Sequence, residues 1–369
     1  MIDSLKLVNF KCFNQAVIEM NRLTVFTGAN ASGKSTVIQA LILANHSNRI
    51  GQNDRGTEMS GLIDINSVFG FSVGAPNALV SQNPVDESGD YDFVLMLEEN
   101  GKAYRFDYKI DKNAPLDLKV YIDALMPGYK MQYLNAERIG PRVSNQAGRS
   151  ENMAFNGENA VYMIDVADRT ERPVADVLKE GLTESNKFSY FVENWMSAIL
   201  GDLQLDIHTD YNKAITELRV KNSLVDHSVV PTLTGFGISY VLPIVVAGLW
   251  ASMERDSMLI FENPEAHLHP YAQSNMGKFL ALLAASGVQV IVETHSEHII
   301  DGIRYQMAYL DIAEQCTVNF MENTEDCVQI KAIKVSSKGE LSSWPKGFFD
   351  QKQKDLRDIL GLRKRNVKC

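Results

Sequence analysis

Apolar and polar positions alternate with period two over the first thirty residues. The runs 5–9, 16–18 and 23–27 predict three short strands separated by polar turns, which would set the third beside an antiparallel β edge. Residues 35–44 then take helical spacing without Pro or Gly, and 45–66, polar and rich in Gly, predict an exposed connection. Residues 91–97 and 103–110 alternate about Asn100-Gly101, a hairpin signal, and 117–125 and 131–135 predict further strands. The stretch 140–159 has loop composition. Helices are predicted over 159–168 and 173–200, strands over 204–209 and 214–221, and another helix after them. From Met258 the order changes: strand 258–261, helix 270–285, strand 288–293 and helix 296–310 belong to a mostly parallel sheet with crossover helices. Neither an internal repeat nor a sustained heptad run is present, which excludes a long coiled coil.

The turn after the third strand carries chemistry. Residues 28–36 read Gly-Ala-Asn-Ala-Ser-Gly-Lys-Ser-Thr, a P-loop between a strand and a helix. Gly28 and Gly33 permit the tight turn, and the backbone of Asn30, Ser32 and Thr36 would help cradle phosphate at a helix N-terminus. Lys34 would reach the β- and γ-phosphates of ATP, and the Ser35 hydroxyl would ligate Mg²⁺. The apolar strand 258–261 ends in Glu262, a carboxylate placed as a Walker B acid for Mg²⁺. His295 closes the strand at 288–293 and would contact the γ-phosphate or the attacking water. His267, His269, His295 and His298 have spacings found among metal ligands, but they fall on positions that the nucleotide reading already explains.

Composition narrows the partners. A net charge of −10 argues against a surface that is basic overall and grips nucleic acid; a local basic groove stays open, and the Arg363–Arg365 cluster reads as a solvated tail. The longest apolar run, 240–253, is too short to span a membrane and is interrupted by Pro243. Cys12, Cys316, Cys327 and Cys369 lack CxxC spacing and, with no leader at the N-terminus, predict reduced thiols in a cytoplasmic protein.

The P-loop, the run Phe-Glu-Asn-Pro-Glu-Ala-His-Leu-His-Pro at 261–270 and Glu-Thr-His-Ser-Glu-His at 293–298 together resemble the OLD-like (overcoming-lysogenisation-defect-like) ATPases. These belong to the SMC-like branch of the ATP-binding-cassette ATPases and include members encoded in bacterial anti-phage defence systems. The opening 5–13 and the segments 133–142 and 344–350 are similar to that branch as well; the middle of the chain matches weakly. The resemblance implies an α/β fold, an ABC/SMC-like P-loop NTPase head: a mixed sheet with crossover helices, an antiparallel β subdomain and a helical insertion. The implied division is an N-terminal lobe over 1–135, an insertion over 136–230, a C-terminal lobe over 231–335 and a tail segment over 336–369. Gly235, Gly237 and Ser239 occupy the place of the signature motif, which in that family contacts the γ-phosphate of the opposite subunit, so a homodimer or higher homo-oligomer closed around ATP is implied.

Three departures stand out. Residues 234–239 lack the Ser-Gly-Gly-Gln ending, Gln39 and Gln52 give no clear Q-loop, and Asn263 stands where the family places its general-base glutamate. Glu265 would then polarise the water, or hydrolysis would be slow, which suits a switch better than a motor. A fused Toprim-type nuclease would need on the order of a hundred further residues with its own acid cluster. About seventy residues follow His295 and carry no such cluster, so the effector, a nuclease or toxin, is expected to be a separate protein. Two alternatives remain open: a DNA-repair or chromosome-maintenance head acting directly on DNA, and the ATPase subunit of a transporter.

Overall fold

A computed structural model describes residues 1–53, 59–111, 113–148, 152–171, 173–179, 181–182, 185–223, 227–324 and 327–365. Its strands are β1 (Ser4–Phe10), β2 (Phe13–Glu19), β3 (Leu23–Gly28), β4 (Ser60–Ile63), β5 (Phe93–Glu99), β6 (Lys102–Asp111), β7 (Ala114–Ile122), β8 (Lys130–Leu134), β9 (Asn145–Gln146), β10 (Gln204–Asp210), β11 (Ile215–Lys221), β12 (Ser257–Glu262), β13 (Gln289–Glu293), β14 (Cys316–Asn323) and β15 (Val328–Lys334). The helices are α1 (Lys34–Asn53), the single turn α2 (Ile65–Val68), α3 (Ala160–Thr170), α4 (Phe188–Leu200), α5 (Phe236–Ser252), α6 (Pro270–Ala285), α7 (Glu297–Tyr309) and α8 (Gln351–Arg365).

Two six-stranded sheets dominate. One, in the order β2-β1-β5-β6-β7-β4, is antiparallel throughout. The other runs β15-β14-β3-β13-β12-β8, with every pair parallel except the edge strand β15. The small sheet β10-β11-β9 sits with α3 and α4. Strands β3, β12 and β13 are buried along almost their whole length, which is why their sequences are continuous apolar runs. Their side chains alternate between two cores. Val25, Leu259, Phe261, Val290 and Val292 pack toward α3–α7, whereas Phe26, Met258, Ile260 and Ile291 pack toward α1 and the antiparallel sheet. Each such side chain contributes about 1.5–3 kcal/mol by leaving water. The parallel sheet is therefore clamped on both faces, and its strand ends are held firmly.

Several expectations are corrected. β3 does not lie beside the antiparallel edge; it pairs with β13 and β14, because a strand apolar on both faces needs cover on both. Helix α1 continues through Asn53 rather than giving way to an exposed connection at residue 45. Its polar residues there are buried with partners: Ser47 Oγ donates to Leu43 O and pairs with Tyr108 Oη, and Asn48 exchanges hydrogen bonds with Met126 backbone. Residues 54–58 lie outside the described residues. Among the described residues of 173–200 only α4 and one 3₁₀ turn (Asp176–Leu178) are helical, since Pro173 and Gly181 (φ +77°) interrupt the spacing. Strands β14 and β15 were not anticipated; they complete the sheet on the far side of β3, and Phe348 of the tail packs edge-on to Phe320 of β14 at 5.5 Å. Among the described residues no helix is long and apolar enough to cross a membrane.

Helices α6 and α7 touch through glycines. A Cβ at Gly302 would lie 2.0 Å from Ser274 O, and one at Gly277 would lie 2.2 Å from Ile299 O. This backbone contact fixes the start of α7, where Ser296 caps the helix by accepting from Ile299 N and donates to Gln273 Oε1 at 2.6 Å. Gly302→Ala is expected to force the helices apart and cost about 1–3 kcal/mol, lowering the melting temperature by several degrees in a thermal-denaturation experiment. An unchanged melting temperature would show that the contact does not hold α7.

Candidate nucleotide site

β3 ends in a loop that only small residues allow. Gly28 has φ +143° and its Cβ would fall 2.0 Å from Met321 O, so the strand end lies directly against β14. Gly33 has φ +90°, and a side chain there would strike the Phe13 ring and Cys12 Sγ. With Ala31 also at positive φ (+60°), the backbone curls into a concavity that ends at the N-terminus of α1, where amide groups have no intrahelical acceptor. The Ser32 hydroxyl is buried in that loop without a protein partner. Loop and helix start together make an anion cradle.

Lys34 is buried at its base. Its ammonium donates to Ala29 O at 2.7 Å and Gly28 O at 3.2 Å and lies 3.9 Å from Glu293 Oε1. Burial lowers its pKa, and the Glu293 charge works against that shift. Ser35 Oγ donates to Glu293 Oε2 at 3.2 Å. Glu293 closes β13 as Glu262 closes β12, and the parallel register pairs the two residues. Burial first, and then the neighbouring Glu262, push the Glu293 carboxyl up to about 7; Lys34 and the Ser35 hydrogen bond oppose them. Glu262 is also raised by burial. Its carboxylate accepts from Ala136 N at 3.1 Å, and the neighbouring Tyr133 and Arg138 side chains oppose that rise.

The next turn is braced from two directions. Glu265 accepts from Thr294 Oγ1 and from His295 N, both at 2.7 Å, and so ties the turn after β12 to the turn after β13. Arg138, only 3% exposed, donates to Asn135 O at 3.1 Å, to Glu262 O at 2.8 Å and to Asn263 O. Burial lowers its pKa to about 10. Its guanidinium stacks over Tyr240 at 5.6 Å, and it serves as a strap across the turn. Asn263 takes a left-handed conformation (φ +45°) with its N–H on Glu293 O at 2.9 Å.

Two adjoining clefts of about 320 and 360 Å³ open over this arrangement, and His295 lines both. Lys34, Ser35, Thr36, Asn30, Ser32 and Gly33 line the first together with Glu293 and Lys11. Burial and then the Lys34 charge lower the His295 pKa, with Glu265 opposing. The structure thus brings the loop residues, Glu293 and His295 into one cleft and sets Glu262 and Glu265 on the turn beside it. It does not bring Gly235, Gly237 or Ser239 there. These lie at the start of α5, and Gly235 and Gly237 line a different cavity of about 420 Å³, near Leu200 and Val220. Glu293, Tyr133 and the strap role of Arg138 were not read from the sequence. For Glu293 the signal was present, since it ends an apolar strand in the same way as Glu262.

Ser35 Oγ and the Glu262 carboxylate are hard oxygens, a set suited to Mg²⁺ completed by phosphate oxygens. Among the described residues no group of three or more His, Cys, Asp or Glu could hold a metal ion without such help.

A parallel sheet with a P-loop at one strand end, an acid at the end of the strand two places away and a histidine beside it defines a P-loop ATPase head. The chain belongs to the AAA ATPase domain family AAA_15, which matches residues 1–160 and 163–300. Residues 313–359 match a further family described as a protein of unknown function (DUF3696). The "OLD nuclease" of Thermus scotoductus (strain ATCC 700910 / SA-01) is 23% identical over 331 residues, covering 83% of this chain and 61% of that protein, so the chain spans about three-fifths of that relative's length. Among solved structures, an SMC head bound to the C-winged helix domain of ScpA superposes with a TM-score of 0.50 at 12% identity, over 91% of this chain and 98% of that one. These likenesses bear out the OLD-like, SMC-like ATPase resemblance and the SMC-head fold.

Removing the ammonium would leave the cradle's phosphates uncompensated. Lys34→Ala is expected to abolish ATP binding by isothermal calorimetry while the protein stays folded by circular dichroism. Tight ATP binding by folded Lys34→Ala protein would contradict the assignment.

Proposed function

We propose that this ATPase is a nucleotide-dependent switch: two copies close around two Mg²⁺–ATP complexes, and the closed assembly controls a separate effector, a nuclease or toxin, in anti-phage defence. The observation that carries this reading is the position of residues 235–239. They sit at the start of the seventeen-residue helix α5, outside both P-loop clefts of their own chain, with Gly235 giving no side-chain cap and Phe236 exposed at 52%. A helix start with uncapped amides fits the γ-phosphate of a facing copy. Phe236 stacks on His267 at 5.2 Å, which couples that segment to the turn after β12.

Within one copy, Lys34 takes the β- and γ-phosphates, Ser35 and Glu262 serve the metal ion, and His295 faces the γ-phosphate. When bound, Mg²⁺ offsets charge on the phosphate oxygens. Glu265 already accepts two hydrogen bonds that orient His295, and Asn263 has no carboxylate to take a proton from water. Both features support slow hydrolysis, and a slowly resolved closed state suits a switch. Nuclease control is supported by the likeness to the longer OLD nuclease, and action through a bound protein by the SMC head that is bound to ScpA. Free Cys12, Cys316 and Cys327 support a reducing, cytoplasmic setting.

Gly235→Glu and Ser239→Arg should each leave ATP binding intact yet prevent an ATP-dependent dimer in sedimentation velocity. The protein alone should leave plasmid DNA uncut with Mg²⁺ and ATP. Equal dimerisation of wild type and variants would sink the sandwich, and cleavage lost in Glu262→Gln would sink the separate effector.

A further inference from the structure

The hydroxyl that marks the metal side of a P-loop is held here by an unassigned residue. Ser35 Oγ donates to Glu293 Oε2 at 3.2 Å, whereas Glu262 accepts from Ala136 N at 3.1 Å. The other acid of the site is committed as well, because Glu265 holds Thr294 and His295. We propose that Glu293 is the carboxylate that holds the nucleotide's divalent cation against Ser35, with Glu262 beside it as the second acid. This rests on the ATP-binding reading and adds a metal-positioning residue to it.

Charge accounting leads to the same place. Glu262 and Glu293 end adjacent parallel strands in register, and Glu293 is almost fully buried. Lys34, itself buried, lies 3.9 Å from Glu293. When Lys34 turns to the phosphates, Glu293 loses its ion-pair partner while the phosphates add negative charge beside it, and the Arg138 charge acts on Glu262. Like charges brought together there repel strongly, and pairing with a cation is what makes such a cluster tolerable. A divalent cation held by Ser35 and Glu293 would supply that pairing. Mg²⁺ is commonly held by one or two carboxylates together with substrate phosphates, which is the donor set this cleft offers. Without the metal, Glu293 should repel the incoming phosphates. The site therefore makes ATP binding conditional on the cation, and Glu293 enforces the condition.

The test is calorimetric binding of ATP with Mg²⁺ and with EDTA, for wild type, Glu293→Gln and Glu293→Asp. Gln is nearly isosteric and can still accept from Ser35, so a purely structural role predicts no change in metal dependence. The proposal predicts that the ratio of metal-free to Mg²⁺ dissociation constants falls about ten-fold or more in Glu293→Gln, with metal-free ATP bound at least as tightly as by wild type. Glu293→Asp, which keeps the charge on a shorter arm, should give a ratio below that of wild type and above that of Glu293→Gln. Should Glu293→Gln fail to fold, the Asp variant decides: a metal dependence weakened because the shorter acid no longer reaches supports the role, and an unchanged ratio overturns it. A wild-type ratio preserved in folded Glu293→Gln also overturns it. Absence of any ATP binding by wild type would instead remove the nucleotide reading itself.

Discussion

A buried ammonium is stable only where acceptors surround it, and the mouth of the parallel sheet is organised around that requirement at Lys34. Two P-loop carbonyls, Gly28 O and Ala29 O, accept from it, and the Glu293 carboxylate at the end of the neighbouring strand pairs with its charge at 3.9 Å. The β3–β13 register delivers Glu293, and the β12–β13 register sets Glu262 next to it. Those registers are in turn held by two hydrophobic cores that grip opposite faces of the sheet. The charge cluster is thus a product of sheet packing. Its acceptors are provisional, because a polyphosphate offers Lys34 stronger partners than two carbonyl dipoles do.

From that cluster outward the site is wired to the rest of the head. Glu265 joins the turn after β12 to His295, and Arg138 fastens the carbonyls of Glu262 and Asn263 from the opposite side. Tyr240 of α5 lies over the Arg138 guanidinium and against His267, so the helix that begins with residues 235–239 rests on the same turn that carries the acids. A change in phosphate occupancy therefore has a short, packed route to the surface that is proposed to meet a second copy.

Much of this was legible in the sequence, and the limits have physical causes. The P-loop, the Glu262 strand and His295 are contiguous signals, and the crossover order after Met258 gave the parallel sheet. Glu293 carried the same cue as Glu262, but its importance appears only when register sets it against Ser35. Nothing local in the sequence shows that Arg138 reaches the Glu262 and Asn263 carbonyls, more than a hundred positions away. The full length of α1 was hidden because Asn45, Ser47 and Asn48 look exposed by composition, yet are buried by tertiary contacts. The placement of β3 away from β1 and β2 was missed because three consecutive strands suggest a meander. Burial on both faces of β3 overrides that local preference.

The most direct test of the central claim is a structure of the protein with Mg²⁺ and a non-hydrolysable ATP analogue. Lys34 should have left Gly28 O and Ala29 O for the β- and γ-phosphates, and residues 235–239 of a second copy should face the γ-phosphate. A nucleotide bound with Lys34 still on its own loop, or held within a single copy whose phosphates no partner approaches, would contradict the account.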